Sequence, residues 1–212
     1  MNDIQIAMEA SGVVAILRGL EPDAAIQVAR ALHRGGISFI EITFPSPGSL
    51  DALRALAELP DVVPGMGTVM SPAEVDQVKA AGARFIVAPN TDRDVICRAK
   101  ALGLFCAPGA MTPSEAVMAR RWGADMVKIF PASVVTPTFF REMQGPCPDI
   151  PLMATGGITL DNAHEFIKAG ARVVGLGGAL ANKKLIAQGR YDVLEEKART
   201  LVARVRAAKG NA

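Results

Sequence analysis

Trp122-Gly123-Ala124-Asp125-Met126-Val127-Lys128-Ile129-Phe130-Pro131 sets an apolar run between a glycine and a proline and places one lysine inside it. Met126 to Phe130 is too short and too β-branched for a helix and predicts a buried strand. Side chains alternate along a strand, so Lys128 faces away from the side shared by Val127 and Ile129. Taking a lysine charge out of water costs on the order of several kcal/mol unless something compensates. The usual relief is to lose the proton, and a neutral amine is a nucleophile towards carbonyl carbon. The plainer alternative is a strand-end lysine with its ammonium in solvent or paired with a carboxylate.

Working outward, the glycine before this strand recurs. Gly36, Gly82, Gly103, Gly123 and Gly170 each end a helix-like segment and precede an apolar strand, at intervals of 46, 21, 20 and 47 residues. The period is about 20 to 23 residues, with two units that lack the glycine. Asp61 to Pro64 and Ile150 to Ala154 fill those units, and Gly12 to Leu17 supplies the first strand. Glycine suits these points because a helix C-cap before a strand takes left-handed backbone. Between the strands, Ser71-Pro72-Ala73-Glu74 and Thr112-Pro113-Ser114-Glu115 repeat a capping box with proline at the first helical position. Pro22 and Leu160-Asp161-Asn162-Ala163 open two further helices. Eight strand-then-helix units predict an α/β fold, a single (β/α)8 TIM barrel domain spanning 1–212. A doubly wound open sheet is the other arrangement this order allows.

Half of the 212 residues are hydrophobic, and the net charge of +2 is spread along the chain. Such a core needs neither disulfides nor metals, and no basic patch argues for nucleic acid. The basic stretch Arg199 to Lys209 has helical spacing and predicts a solvated helix face. No apolar run reaches membrane-spanning length and no signal-peptide pattern opens the chain, so no membrane partner is expected. Cys97, Cys106 and Cys147 are widely spaced and odd in number, which predicts reduced thiols in a cytoplasmic protein rather than a zinc site. His33 and His164 lie in helical segments without a partner that suggests a ligand or a triad.

A barrel of this kind works at the C-terminal ends of its strands. Those ends carry Arg18-Gly19, Glu41 to Pro45, Gly65-Met66-Gly67-Thr68, Pro89-Asn90, Pro108-Gly109, Lys128, Thr155-Gly156-Gly157-Ile158 and Gly177-Gly178. Glu41, between Ile40 and Ile42, is the one acid embedded in a core-like strand, and burial should raise its pKa towards that of a general acid/base. Its bland counterpart is a salt bridge from Glu41 to Lys128 within the barrel. Two glycine pairs after the last two strands are placed to offer backbone amides to a phosphate, although isolated glycine pairs often only make turns. Arg18 could grip a carboxylate through two hydrogen bonds, or simply lie in solvent. Thr68 offers a hydroxyl, since Ser71 is the better cap for the following helix. Asn90 and Pro108 at such rims more often make turns.

Glu41-Ile42-Thr43, Gly65-Met66-Gly67-Thr68, Val127-Lys128-Ile129-Phe130-Pro131, Thr155-Gly156-Gly157-Ile158 and Gly177-Gly178, in that order, resemble the 2-keto-3-deoxy-6-phosphogluconate aldolase family of class I, Schiff-base aldolases. The resemblance implies a trimeric barrel with Lys128 as Schiff-base lysine, Glu41 as acid/base and Thr68 near a pyruvyl group. It also implies Gly156, Gly157, Gly177 and Gly178 at a phosphate; in such a reaction Arg18 would hold the carboxylate end, and a Schiff base needs no metal or organic cofactor. The partners it implies are a phosphorylated keto sugar acid and pyruvate. Phosphogluconate enzymes typically carry an arginine four residues after the glutamate, where this chain has Pro45. Ile16-Leu17-Arg18-Gly19, Val87-Ala88-Pro89-Asn90 and Cys106-Ala107-Pro108-Gly109 look instead like the branch acting on the 6-phosphogalactonate epimer, while Phe44-Pro45-Ser46-Pro47 is typical of neither. A metal-dependent aldolase would need ligands converging on the rim, which the sequence does not offer. A non-catalytic phosphosugar-binding protein would keep the glycine pairs but have no use for Lys128.

Overall fold

The computed structural model describes residues 3–210. Its strands are β1 Val13–Leu17, β2 Phe39–Thr43, β3 Val63–Gly67, β4 Phe85–Val87, β5 Phe105–Ala107, β6 Gly109–Ala110, β7 Val127–Ile129, β8 Leu152–Thr155 and β9 Val173–Leu176. The helices are α1 Asp3–Ser11, α2 Pro22–Arg34, α3 Ser49–Ala57, α4 Pro72–Ala80, α5 Arg93–Ala101, α6 Pro113–Arg121, α7 Ala132–Gln144, α8 Ala163–Lys168, α9 Lys183–Ala187 and α10 Tyr191–Gly210. All strand pairings are parallel, in the order β5-β4-β3-β2-β1-β9-β8-β7-β6.

The two ends of that order, β5 and β6, are separated in the chain only by Pro108. Proline has no N–H to give a ladder, and the strand changes partner there: β5 pairs with β4 and β6 with β7. The Pro108 carbonyl accepts a bond of 2.9 Å from the Lys128 amide, and the Cys106 carbonyl one of 3.0 Å from Asp125. Nine segments thus fill eight positions and the ring closes as the expected (β/α)8 barrel.

Strand alternation divides the core in two. Val14, Phe39, Phe85, Phe105, Met126, Met153 and Val173 point into the barrel, joined by Met8 and Ile4 of α1 at the end where the strands begin. Val13, Ala15, Leu17, Val127 and Ile129 point out against the helices. Burying each large side chain contributes about 1.5–3 kcal/mol. The glycines of the repeat, at 36, 82, 103, 123 and 170, all have left-handed φ, from 69° to 106°. Ser71 and Thr112 form complete capping boxes with Glu74 and Glu115. On α10, Arg199 pairs with Glu195 and Glu196 and Arg204 with Asp161, all at the surface.

The third strand is Val63–Gly67: it begins within the apolar Asp61 to Pro64 segment and runs through the expected Gly65-Met66-Gly67 end, whose inner face is filled by side chains from neighbouring strands.

Candidate active site

Lys128 on β7 has the parity of Met126, and Glu41 on β2 that of Phe39, so both point into the barrel towards its C-terminal mouth. They are 6 % and 2 % exposed. The Lys128 Nζ stands over the Phe130 ring, 4.7 Å from its centroid. Among the described residues no ion pair joins Lys128 to Glu41, and Glu41 Oε2 is buried without a hydrogen-bond partner.

Burial dominates the electrostatics of both groups. It pushes the Glu41 carboxyl above its ordinary value of 4.5, against the opposing pull of Lys128 and then of Arg18. It holds the Lys128 amine below 10.5, against the stabilising charge of Glu41, while Arg18 pushes it further down. Desolvation therefore moves the pair towards neutral acid and neutral amine, the forms that transfer a proton and attack a carbonyl.

Arg18, at the end of β1, is exposed but close enough to act on both charges. Thr68 follows β3 with φ 63°, a conformation costing a β-branched residue about 1–3 kcal/mol. Its neighbours hold it there: the Gly67 carbonyl accepts from the Phe44 amide at 2.9 Å and the Val69 amide donates to Val87 at 3.3 Å. Gly156 and Gly157 turn with φ 92° and 76° after β8, and the Gly156 carbonyl accepts from the Ser133 amide of α7. Gly177 and Gly178 form the turn after β9, and a side chain on Gly178 would meet nothing within 4 Å. The Gly177 carbonyl accepts from the Leu180 and Ala181 amides, each at 2.9 Å, so the chain makes one hydrogen-bonded turn there, and the next helix, α9, begins at Lys183. Asn90 is an exposed turn residue whose carbonyl accepts from Gly109, and Pro108 lies in the split strand.

Two further residues share the inner face. Thr43 and Thr155 are buried at 5 % and 4 % exposure, and each hydroxyl lacks a hydrogen-bond partner. Buried hydroxyls are almost always bonded, so two unpaired ones beside a buried acid and amine suit a polar ligand. The period of two from Glu41 points to Thr43, and from Met153 to Thr155. Phe44-Pro45, a cis bond, lines a separate open hollow of about 460 Å³ with Pro47, Asp51 and Arg54, and neither Glu41 nor Lys128 borders it. Cys106 is buried with its thiol pushed up to about 12, chiefly by desolvation. Among the described residues no group of three His, Cys, Asp or Glu side chains could hold a metal ion, and no helix is long and apolar enough to cross a membrane.

The chain is similar to known proteins over most of its length. The chain is 36 % identical over 171 residues to the 2-dehydro-3-deoxy-6-phosphogalactonate aldolase of Escherichia coli K12, covering 79 % of this chain and 83 % of that one. It is 32 % identical over 194 residues to the 2-dehydro-3-deoxy-phosphogluconate aldolase of Pseudoalteromonas atlantica, covering 90 % of each. Its fold superposes with a TM-score of 0.88 on the KDPG aldolase of Legionella pneumophila, solved with pyruvate captured as a covalent carbinolamine, at 27 % identity over 94 % of this chain and 98 % of that one. The family model for KDPG and KHG aldolases matches residues 4–196, and the chain belongs to that family.

Proposed function

We propose that the protein cleaves a 2-keto-3-deoxy-6-phospho sugar acid to pyruvate and glyceraldehyde 3-phosphate through a Schiff base on Lys128, with the 6-phosphogalactonate type as substrate. The observation that carries the reading is the buried pair itself. Lys128 and Glu41 sit inside one barrel mouth, each displaced by burial towards its neutral form, with no ion pair between them. A structural salt bridge would have closed that gap.

An ordinary lysine is neutral in only about one molecule in 2500 at pH 7, so the lowered pKa is what makes attack possible. The Lys128 amine adds to the C2 ketone and gives a carbinolamine. Glu41 protonates its hydroxyl, water leaves, and an iminium forms. The Glu41 carboxylate then takes the proton of the C4 hydroxyl, directly or through a water. The C3–C4 electrons move into the iminium, leaving an enamine on Lys128 and releasing the aldehyde. Protonation of the enamine carbon by Glu41 and addition of water return pyruvate and the free amine. Every electron pair stays with substrate and lysine, so no cofactor is called for.

In this scheme Arg18 holds the carboxylate end, Thr68 lies against the pyruvyl portion, and Gly156, Gly157, Gly177 and Gly178 hold the phosphate. The unpaired hydroxyls of Thr43 and Thr155 supply bonds to bound substrate. The galactonate preference is supported by the relative in E. coli and by Arg18 with Pro45 in place of an arginine. The gluconate type is the second reading, favoured by the longer span of likeness to the P. atlantica enzyme. We take the working form to be a cytoplasmic homotrimer built on one barrel domain, as the family likeness suggests; sedimentation of the purified chain checks the trimer.

Borohydride reduction in the presence of pyruvate, followed by mass spectrometry, tests the mechanism. The expected result is a reduced pyruvyl adduct on Lys128, and its absence sinks the Schiff-base route. Comparing cleavage of the two epimers tests the substrate, and poor rates for both would point to another keto acid.

A further inference from the structure

Glu41 stands opposite Gly65 in the strand register, yet its carboxyl lies against Gly67, two residues further along β3. The side chain therefore leans along the strand towards the mouth. A Cβ built on Gly67 would overlap Glu41 Oε1 and come within 2.5 Å of Cδ and 3.0 Å of Cγ. Gly65 makes the same kind of room one layer below, where a Cβ would run into the Phe85 ring. The bare inner face of β3 thus holds two borrowed side chains, an aromatic floor and above it the acid.

Among the described residues no hydrogen bond is seen to seat that acid. Glu41 Oε2 has no hydrogen-bond partner although the residue is 2 % exposed, and a buried polar atom without a partner needs a reason. Packing against a flat backbone fixes where a carboxyl lies without occupying its lone pairs, which stay available for a proton in transit.

We infer that Gly67 is a positioning residue, and that its missing side chain is what places the Glu41 carboxyl beside the reacting centre of Lys128. The inference rests on the aldolase reading above, with Glu41 as its proton carrier.

The test is a cycle of Gly67→Ala, Glu41→Asp and the double variant, read by borohydride trapping of pyruvate, deuterium exchange at the pyruvate methyl, and steady-state cleavage. For Gly67→Ala we expect the Lys128 adduct at the wild-type mass but formed more slowly, because Glu41 also carries the proton for carbinolamine dehydration, and KM within about twofold of wild type, because uniform binding survives. Exchange and kcat should each fall by about tenfold or more, since a displaced general acid/base loses its contribution. Glu41→Asp withdraws the carboxyl from the overlap, so it should cost much less on the Gly67→Ala background than on the wild type. Equal fold-losses on both backgrounds overturn the inference. If Gly67→Ala unfolds, melting temperature carries the test: Glu41→Ala with Gly67→Ala should melt as Glu41→Ala does. An equal drop with and without the Glu41 side chain overturns the inference. Failure to trap pyruvate on the wild-type Lys128 would sink the aldolase reading instead, a result separate from either of these.

Discussion

Glu41 and Lys128 are each other's leading charged influence, yet they make no ion pair inside the barrel. Each is held towards neutrality by burial and pulled back towards charge by the other. Arg18 bears on both, drawing the carboxyl down and pushing the amine down as well. Three charges of this kind make the pH response of the site predictable in sign.

Activity should fall on the acid side as Lys128 gains its proton. Glu41→Gln removes the charge that raises the Lys128 pKa, so the acid limb for trapping pyruvate should move to lower pH. Arg18→Met removes a charge that lowers it, so that limb should move to higher pH. Trapping yield against pH, in low salt where surface charge is least screened, checks both. Shifts of the same sign would contradict the arrangement.

Much of this site was legible because its signals are local. A lysine and a glutamate in apolar strands announce themselves, and the helix-ending glycines mark five of the strands and the period that places the rest. The split at Pro108 was hidden, since a proline at a strand end reads as a turn until the segments on its two sides are known to pair with different strands. The end of the third strand is legible at Gly65 to Thr68, but what covers it is not: Gly65 and Gly67 carry no side chain and are buried by Phe85 and Glu41. Thr43 and Thr155 look like ordinary strand-end threonines. Their inward direction follows the period of two from Glu41 and Met153, but their lack of partners shows only once the barrel closes. Helix α1, nine residues with only Met8 fully buried, earns its order from plugging the barrel rather than from its own pattern.

Burial that serves chemistry should cost stability. Replacing Glu41 and Lys128 both by methionine removes two desolvated ionisable groups and keeps most of their volume. Such replacements are neutral or stabilising by about 1–4 kcal/mol, so the double variant should unfold at equal or higher denaturant while losing all cleavage. The single changes carry a sign in pH. A raised carboxyl pKa gives stability that is present below 4.5 and lost as pH climbs through the folded value. A lowered lysine pKa gives stability present above 10.5 and lost as pH falls through the folded value. At neutral pH the wild type therefore carries both penalties. Denaturant melts from pH 4 to 8 check this, and a double variant markedly less stable at neutrality would show that the pair holds the barrel together.

The capping boxes give a prediction free of the active site. Ser71 and Thr112 each accept the amide of a glutamate three residues on, at 3.3 Å. Removing either hydroxyl by Ser71→Ala or Thr112→Ala should cost about 1 kcal/mol, read as a shift in denaturant midpoint with unchanged slope. Neither should alter KM. A change in kcat would tie α4 or α6 to the rim.

The two glycine pairs can be separated, because their surroundings differ. Gly157 has φ 76° and a Cβ there would come within 2.5 Å of Ser133 Cβ, so Gly157→Ala must strain the turn and move α7. A left-handed residue with a side chain already costs roughly 1–2 kcal/mol before the clash, and the loss of activity that follows would say little about phosphate. Gly178 has no such burden: its φ is not left-handed and a Cβ meets nothing within 4 Å. Gly178→Ala should leave stability within about 0.5 kcal/mol of wild type. If a phosphate closes on that turn, the added methyl meets the ligand alone. A weakened bond to a charged group, worth about 1.5–3 kcal/mol, then raises KM for the phosphorylated sugar acid about tenfold or more. The borohydride adduct with pyruvate, which has no phosphate, should form as in the wild type. Unchanged KM in a stable Gly178→Ala would remove the turn after β9 from the phosphate site and leave the turn after β8 to hold it.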